Sequence, residues 1–238
     1  MNIALIGYGK MGKAIEEIAL QMGHTVVLKI NSSNQEELTV ANLQHAAVAI
    51  EFSNPHSAVD NLKKCFDAGV PVVCGSTGWL DHWEEINRYR EEKNGGLLYA
   101  SNFSIGVNIF FEINRQLAKL MNHQAEYDVA IEEIHHTQKK DAPSGTAITI
   151  ANGILESLQR KEKWVLGTPS TPSELSIISK RMDPAPGTHL VNYDSPVDSI
   201  QITHTAHNRT GFASGAMMAA VFLADKKGIY TMKDVLQL

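Results

Sequence analysis

The sequence predicts an α/β protein: a Rossmann-type parallel-sheet domain joined to a smaller α+β substrate domain with a mixed sheet. Three observations carry this. The first half of the 238-residue chain alternates short apolar runs with amphipathic stretches, the pattern of parallel strands joined by crossover helices. The turn Gly7-Tyr8-Gly9-Lys10-Met11-Gly12 falls between the first predicted strand and the first predicted helix. After Asn102 the pattern changes to long helices and to strands that alternate polar and apolar residues, as strands with one wet face do.

Asn2–Ile6 reads as the first strand, and Lys13–Met22 places Ile15, Ile18, Ala19 and Met22 on one helical face. Thr25–Ile30, Ala47–Phe52, Val70–Cys74 and Leu97–Ser101 follow as strands. Pro55–Ala68 is a helix with Val59, Leu62 and Phe66 at helical spacing, and Asp81–Lys93 is another. The polar stretch Asn31–Asn42 takes no assignment. Beyond it lie a long helix, Ile105–Met121, a strand, Asp128–His135, and a helix, Gly145–Gln159. Glu174–Arg181 and Ser199–Ala206 read as strands and Lys161–Pro172 as a loop. The apolar helix Gly215–Lys226 is expected to pack back on the first domain. That gives a discontinuous dinucleotide-binding domain, 1–102 with 208–238, and a substrate-binding and oligomerisation domain, 103–207.

Hydrophobic residues make up 43% and charged residues 20% of the chain, ordinary globular usage that argues against disorder. A net charge of −5 offers no general attraction to nucleic acid or to an anionic membrane, so neither is expected as a partner. The opening apolar run has no basic leader and ends in glycines, so it reads as a strand and not as a signal sequence. No stretch is long and apolar enough to span a bilayer. Cys65 and Cys74 form no metal-type cluster and are expected as buried free thiols, which points to a cytoplasmic protein.

The glycine turn has physical jobs to fill. Gly7 permits the tight turn, Gly9 lets the backbone approach a pyrophosphate, and Gly12 lets helix and strand pack closely. The helix start at Lys10 and Met11 supplies amide donors and a partial positive charge. A dinucleotide is the expected ligand. A carboxylate for the ribose hydroxyls is expected at the end of the second strand, but the sequence there is Lys29-Ile30-Asn31-Ser32-Ser33. Asn31 can bond a hydroxyl, and Ser32, Ser33 or Lys29 can meet a 2′-phosphate that no carboxylate repels. NADPH is therefore expected ahead of NADH. Phe52-Ser53-Asn54-Pro55 and Gly75-Ser76-Thr77-Gly78 follow two further strands, where open α/β sheets bind ligands, although both are also ordinary turn sequences.

The chemistry concentrates in Glu132-Glu133-Ile134-His135-His136-Thr137-Gln138-Lys139-Lys140-Asp141-Ala142-Pro143-Ser144-Gly145-Thr146-Ala147. Ser144 is a good N-cap, and Gly145 and Thr146 open the helix, making an anion site suited to a carboxylate. Asp141 and Pro143 shape the turn before it. His135, His136 and Lys139 bring protons and positive charge to the same place. Adjacent strand histidines point to opposite faces, so both reach one ligand only where the strand ends. No third ligand stands at a recognisable spacing for zinc, so no metal is expected.

The run His135-His136-Thr137-Gln138-Lys139-Lys140-Asp141-Ala142-Pro143-Ser144-Gly145-Thr146-Ala147 resembles the signature of the 4-hydroxy-tetrahydrodipicolinate reductase family. Further segments match that family in order: the Gly7–Gly12 turn, Glu51–Pro55, Gly75–Gly78, Ser101–Asn108, and His204–Ala213, which includes Arg209. The resemblance implies an NAD(P)H-dependent reductase of the diaminopimelate and lysine route that acts on a cyclic dicarboxylate. It implies that His135 and Lys139 serve acid catalysis, and that His136, Lys139, Ser144, Gly145 and Thr146 hold the substrate. Which of His135 and Lys139 gives the proton stays open, with Lys139 ahead. Gly9, Met11, Gly12, Gly75, Thr77, Ser101, Asn102 and Phe103 would line the cofactor, and a homotetramer through the substrate-domain sheet is implied. Asn31 departs from the acidic residue common in the family. The competing readings are a related Rossmann dehydrogenase of amino-acid metabolism and a non-catalytic nucleotide sensor.

Overall fold

The computed structural model describes residues 1–208 and 210–238; Arg209, in the returning segment named above, lies outside the described residues. In chain order the elements begin with β1 (Asn2–Ile6), α1 (Lys10–Gln21), β2 (Thr25–Ile30), α2 (Val40–Leu43), β3 (Val48–Glu51), α3 (Pro55–Asp67), β4 (Val72–Cys74), α4 (Trp83–Glu92) and β5 (Gly96–Tyr99). They continue with α5 (Ile105–Met121), β6 (Asp128–His135), α6 (Gly145–Leu155), β7 (Lys163–Leu166), β8 (Glu174–Arg181), β9 (Thr188–Asp194) and β10 (Ser199–Thr205). The last are α7 (Thr210–Leu223), β11 (Gly228–Tyr230) and α8 (Met232–Leu236). Two compact units result: Met1–Ile105 with Arg209–Leu238, and Gly106–Asn208.

The first unit is built on a six-stranded sheet in the order β11-β5-β4-β3-β1-β2, parallel throughout. Strand alternation sends Ile3 and Leu5 to one face and Ala4 and Ile6 to the other, so both faces are apolar and both must be covered. Leu62, Cys65 and Phe66 of α3, with Ile86 of α4, cover the Ala4 face. Ile15 and Ala19 of α1, with Ala213, Ala216 and Met217 of α7, cover the other. The large ones among them, such as Leu62, Phe66, Ile86, Ile15 and Met217, each contribute roughly 1.5–3 kcal/mol. The return of α7 makes this Rossmann-type unit discontinuous in sequence, and both cysteines are buried and free.

The second unit is a five-stranded mixed sheet in the order β10-β9-β6-β8-β7. β6 runs parallel to β8 and antiparallel to β9. Its burial alternates, with Val129, Ile131, Glu133 and His135 facing inward. Val107 and Phe111 of α5 and Ile150 and Ile154 of α6 pack on that face with Leu175, Ile177, Val191 and Tyr193.

Several expectations need correction. Lys161–Pro172 is not all loop: Lys163–Leu166 forms the edge strand β7, fixed by pairing with β8. β9 was not expected, because its inward set His189, Val191 and Tyr193 is half polar and the adjacent apolar pair Leu190-Val191 breaks the alternation. Within Asn31–Asn42 a 3₁₀ turn, Gln35–Glu37, precedes the start of α2, which Thr39 caps through the Asn42 amide. Another 3₁₀ turn, Leu80–His82, opens what was read as one helix up to Lys93. α6 stops at Leu155, short of Gln159, and α7 starts at Thr210, ahead of the Gly215 expected. Met22, expected on the buried face of the first helix, lies past its end and is half exposed.

Candidate functional site

The first unit brings its three loop segments together at the carboxyl ends of the strands. Gly7 has φ +93°, and a Cβ there would lie 2.1 Å from the Phe52 carbonyl oxygen, so only glycine fits. At Gly75 a Cβ would meet the Phe52 ring at 2.3 Å. Phe52 in turn meets Phe103 with ring centroids 5.5 Å apart and planes tilted by 55°, so the Gly7, Phe52, Gly75 and Phe103 segments lock one another. Beneath them Glu51 is fully buried, and its carboxylate accepts from the Ser53 amide at 3.0 Å, Asn61 Nδ2 at 3.3 Å and Cys74 Sγ at 3.3 Å. Burial and this carboxylate push the Cys74 thiol well up, so it is no nucleophile.

A cavity of about 330 Å³ opens over this floor, bordered by Gly7 to Gly9, Asn31, Ser32, Ser53, Asn54 and by Ser57, Asn61 and Lys64 of α3. Among the described residues no aspartate or glutamate lines it. A Cβ at Gly9 would meet nothing within 4 Å, which leaves open space before the start of α1, and no side chain caps that helix. Its first-turn amides at Lys10, Met11 and Gly12 lack intrahelical acceptors, a ready anion site. These residues fit a dinucleotide: a pyrophosphate against the turn, and a nucleoside in the cavity. Asn31 Oδ1 is held by the Ser33 amide at 2.8 Å and the Ser33 hydroxyl at 2.6 Å. Lys29 is ion-paired to Glu16 at 2.7 Å and lies over the Tyr8 ring, so its charge is already answered. Ser53 accompanies Phe52 into the cavity wall, while Thr77 and Ser101 are exposed and Asn102 is buried, accepting from the Ser104 amide at 2.9 Å.

The second unit gathers the other predicted residues at the end of β6 and the start of α6. His135 is buried and His136 half exposed, on opposite faces as the strand dictates, and β6 ends at His135. Lys139 Nζ pairs with both Asp141 oxygens, at 2.8 and 2.9 Å. Partial burial would raise the Asp141 carboxyl, but the Lys139 ammonium outweighs it and holds it below the usual range. Ser144 is buried and fully used by the protein. Its amide donates to Glu133 at 3.0 Å, and its hydroxyl accepts from the Ala147 amide at 3.1 Å and lies 3.3 Å from His189 Nε2. Gly145 is exposed, and nothing lies within 4 Å of where its Cβ would be, so the approach to the amide end of α6 at Gly145 and Thr146 is open.

Four residues here were not singled out from sequence. Glu133, at the floor of the site, accepts from the Ser144 amide, from the Ser179 hydroxyl at 2.7 Å and from Arg181 Nη2 at 3.3 Å. Arg181 Nε also donates to the Lys139 carbonyl at 3.3 Å, tying the lysine turn to Glu133. His189 comes from the unexpected strand β9, and its ring meets that of His135 edge-on at 5.1 Å. Lys64 lines the nucleotide cavity from α3, where Ser57, Asn61 and Lys64 at helical spacing were the available signal. Glu133, His135 and His189 present ligand atoms within 4.8 Å of one another, so a third metal-type ligand exists in space where none showed in sequence. Arg181 against the Glu133 carboxylate places a fixed positive charge beside that cluster, which opposes a divalent cation.

Comparison with known proteins agrees along the whole chain. Over 236 residues, 99% of this chain and 98% of the relative, it is 48% identical to the 4-hydroxy-tetrahydrodipicolinate reductase of Christiangramia forsetii. It is 35% identical to the enzyme of that name from Neisseria gonorrhoeae, over 94% of this chain and 84% of the relative. The structure of a dipicolinate-bound dihydrodipicolinate reductase from Paenisporosarcina sp. superposes with a TM-score of 0.75, covering 97% of both chains at 23% identity, a likeness of fold. Residues 1–103 match the family model described as dihydrodipicolinate reductase, N-terminus, and residues 106–236 match its C-terminus. With both halves matched in order, the chain belongs to the dihydrodipicolinate reductase family.

Proposed function

We propose that this protein reduces 4-hydroxy-tetrahydrodipicolinate to tetrahydrodipicolinate with NAD(P)H, on the route to diaminopimelate and lysine. The observation that carries the reading is the complete run from His135 to Ala147, folded so that an acid-capable histidine and a lysine stand beside an open helix N-terminus. The substrate loses its hydroxyl as water, and the resulting conjugated ring accepts a hydride and a proton. The nicotinamide, when bound, supplies the hydride. Lys139 and His135 supply the proton and oppose the negative charge that develops as the ring is reduced, with Lys139 the preferred donor. His136, Lys139 and the amides of Gly145 and Thr146 hold the two carboxylates, and Ser144 serves by capping the helix that presents those amides.

NADPH is preferred over NADH in this reading. No carboxylate lines the cavity to repel a 2′-phosphate, and Ser32 and Lys64 border it. Gly9, Lys10, Met11 and Gly12 would hold the pyrophosphate, with Gly7, Asn31, Ser32, Phe52, Ser53, Gly75, Thr77, Ser101, Asn102 and Phe103 around the rest. A cytoplasmic homotetramer completes the proposal. Exposed Ile200 on β10, with Met182 and Val197 exposed just beyond strand ends, supports assembly through that sheet. No helix among the described residues is long and apolar enough to cross a membrane.

A coupled assay tests the reading: aspartate semialdehyde, pyruvate and the preceding synthase generate the unstable substrate, and absorbance follows oxidation of NADPH or NADH. Synthase-dependent oxidation, faster at limiting NADPH than at limiting NADH, is expected. Nucleotide binding without any synthase-dependent oxidation would overturn it.

A further inference from the structure

The nearest partner of His135 is not a ligand but a carboxylate under it. Glu133 is fully buried, two residues earlier on the same face of β6. Its Oε1 is taken up by the Ser144 amide, the Ser179 hydroxyl and Arg181. Its Oε2 also accepts from the Ser144 amide, at 3.2 Å, and faces the two rings, 3.3 Å from His135 Nδ1 and 3.8 Å from His189 Nε2. His135 Nδ1 is buried with no formed hydrogen bond, and the Glu133 Oε2 atom lies 3.3 Å from it, within ion-pair reach. At the far edge of the ring, a side chain at Gly187 would come within 3.2 Å of Nε2; the glycine leaves the imidazole its room.

We infer that Glu133 is the positioning residue for His135: its Oε2 anchors the Nδ1 edge of the ring, fixes the Nδ1–H tautomer and supports the imidazolium, so that Nε2 is the nitrogen offered to the substrate. This rests on the proposed reading of His135 as a proton-bearing group of the reductase.

The surroundings suit one carboxylate serving one ring. Burial would raise the Glu133 carboxyl, but the His135 ring and the Ser144 and Ser179 donors outweigh it and hold the group well below the usual carboxylate range. His189 is driven the other way, to about 3, by burial first and then by His135, with Glu133 opposing and His204 and Lys139 adding to the fall. It is therefore neutral at working pH and leaves the anion to His135. The groups facing the pair are Glu133 itself on β6, Arg181 on β8, His189 on β9, His204 on β10, and Lys139 and Asp141 on the turn before α6. Among the described residues no other carboxylate lies within ion-pair distance of His135.

The test is the pH profile of kcat in the coupled assay for the wild type, Glu133→Gln, Glu133→Asp and His135→Gln. Glu133→Gln should lower kcat while leaving KM for NADPH unchanged. It should also move the alkaline fall of kcat to lower pH by about one unit or more, since a neutral amide no longer supports the imidazolium. Glu133→Asp should restore part of the shift, which a loss of packing alone would not do. An alkaline limb in Glu133→Gln that coincides with the wild type, while His135→Gln is inactive, overturns the inference and leaves the reductase reading standing. Near-normal turnover by His135→Gln would remove the histidine from the reaction and the inference with it. If Glu133→Gln does not fold, ¹⁵N spectra of the wild-type ring decide, with His135 assigned by its loss in His135→Gln. A proton on Nδ1 is expected in the neutral form, and a proton on Nε2 overturns the inference.

Discussion

The Lys139 ammonium rests on the Asp141 carboxylate through two contacts, at 2.8 and 2.9 Å, with its side chain about a quarter exposed. That pairing holds the ammonium along the turn, yet leaves it within reach of solvent. In the proposed reading, a substrate carboxylate would compete with Asp141 for the same ammonium. Lys139→Ala should therefore lower kcat by about 10²- to 10⁴-fold, the range for loss of a positioned proton donor. Nucleotide affinity, measured by fluorescence titration, should stay near normal, and unchanged turnover would end the role given to Lys139. Gly7→Ala should fail differently. At φ +93° and 2.1 Å from the Phe52 carbonyl, a methyl group must displace the Phe52 segment. Loss of nucleotide binding in the same titration, with a lower melting temperature, is the expected outcome; wild-type affinity would contradict it. At this scale the sequence was legible wherever chemistry sits in a contiguous run, as from His135 to Ala147 or from Gly7 to Gly12. Glu133, Arg181, His189 and Lys64 were not legible, because nothing local ties a strand carboxylate, or a histidine on another strand, to a motif elsewhere in the chain.

Among the elements, those whose apolar period is clean were readable: β1, α1, α3, α5, β6 and β8. The missed ones owe their form to neighbours. β7 is an edge strand of four residues whose side chains, exposed at both ends and half-buried between, carry no period, and it exists because β8 offers a row of backbone partners. Lys161 explains how the stretch before it is pinned. It is buried, donates to the Pro172 carbonyl at 2.8 Å and the Glu174 carbonyl at 2.9 Å, and pairs with Asp128 at 2.7 Å. One ammonium thus ties the start of β6, the approach to β7 and the start of β8. Lys161→Met keeps the stem but strands the buried Glu174 carbonyl and the part-buried Pro172 carbonyl, which should cost roughly 1–3 kcal/mol. A urea midpoint equal to that of the wild type would show that water replaces the ammonium at no cost. Ser144→Ala belongs beside it. Losing the cap of α6 should cost about 1 kcal/mol and loosen the amides that face the substrate, so the KM for substrate should rise while nucleotide affinity does not change.

For the molecule as a whole, the buried polar groups of the second unit set how stability depends on pH. His189 has its folded value lowered to about 3, by burial first. Unfolded, it titrates at about 6.5. Between those two values the unfolded chain binds a proton that the folded protein refuses, so acidification favours unfolding across that window. His204 is lowered by burial as well and acts in the same direction. Glu133 is held below the ordinary carboxylate range, so its contribution is present above the unfolded value and is lost as pH falls towards its folded one. Both signs agree. Stability should be greatest near neutrality and decline from about pH 6.5 downward, at up to ~1.4 kcal/mol per pH unit for each proton taken up. Urea unfolding at a series of pH values measures the slope directly, and His189→Gln should flatten it between pH 6.5 and 4.5 while leaving the carboxylate-driven loss below that. The surface should add little, since its ion pairs, such as Lys63 with Glu85, are exposed and screened. A wild-type stability flat from pH 7 to 5 would mean that His189 takes up its proton without opening the fold. The Glu133 carboxylate, already paired with Arg181, would then be shared between two imidazolium rings, a state in which it could not single out His135.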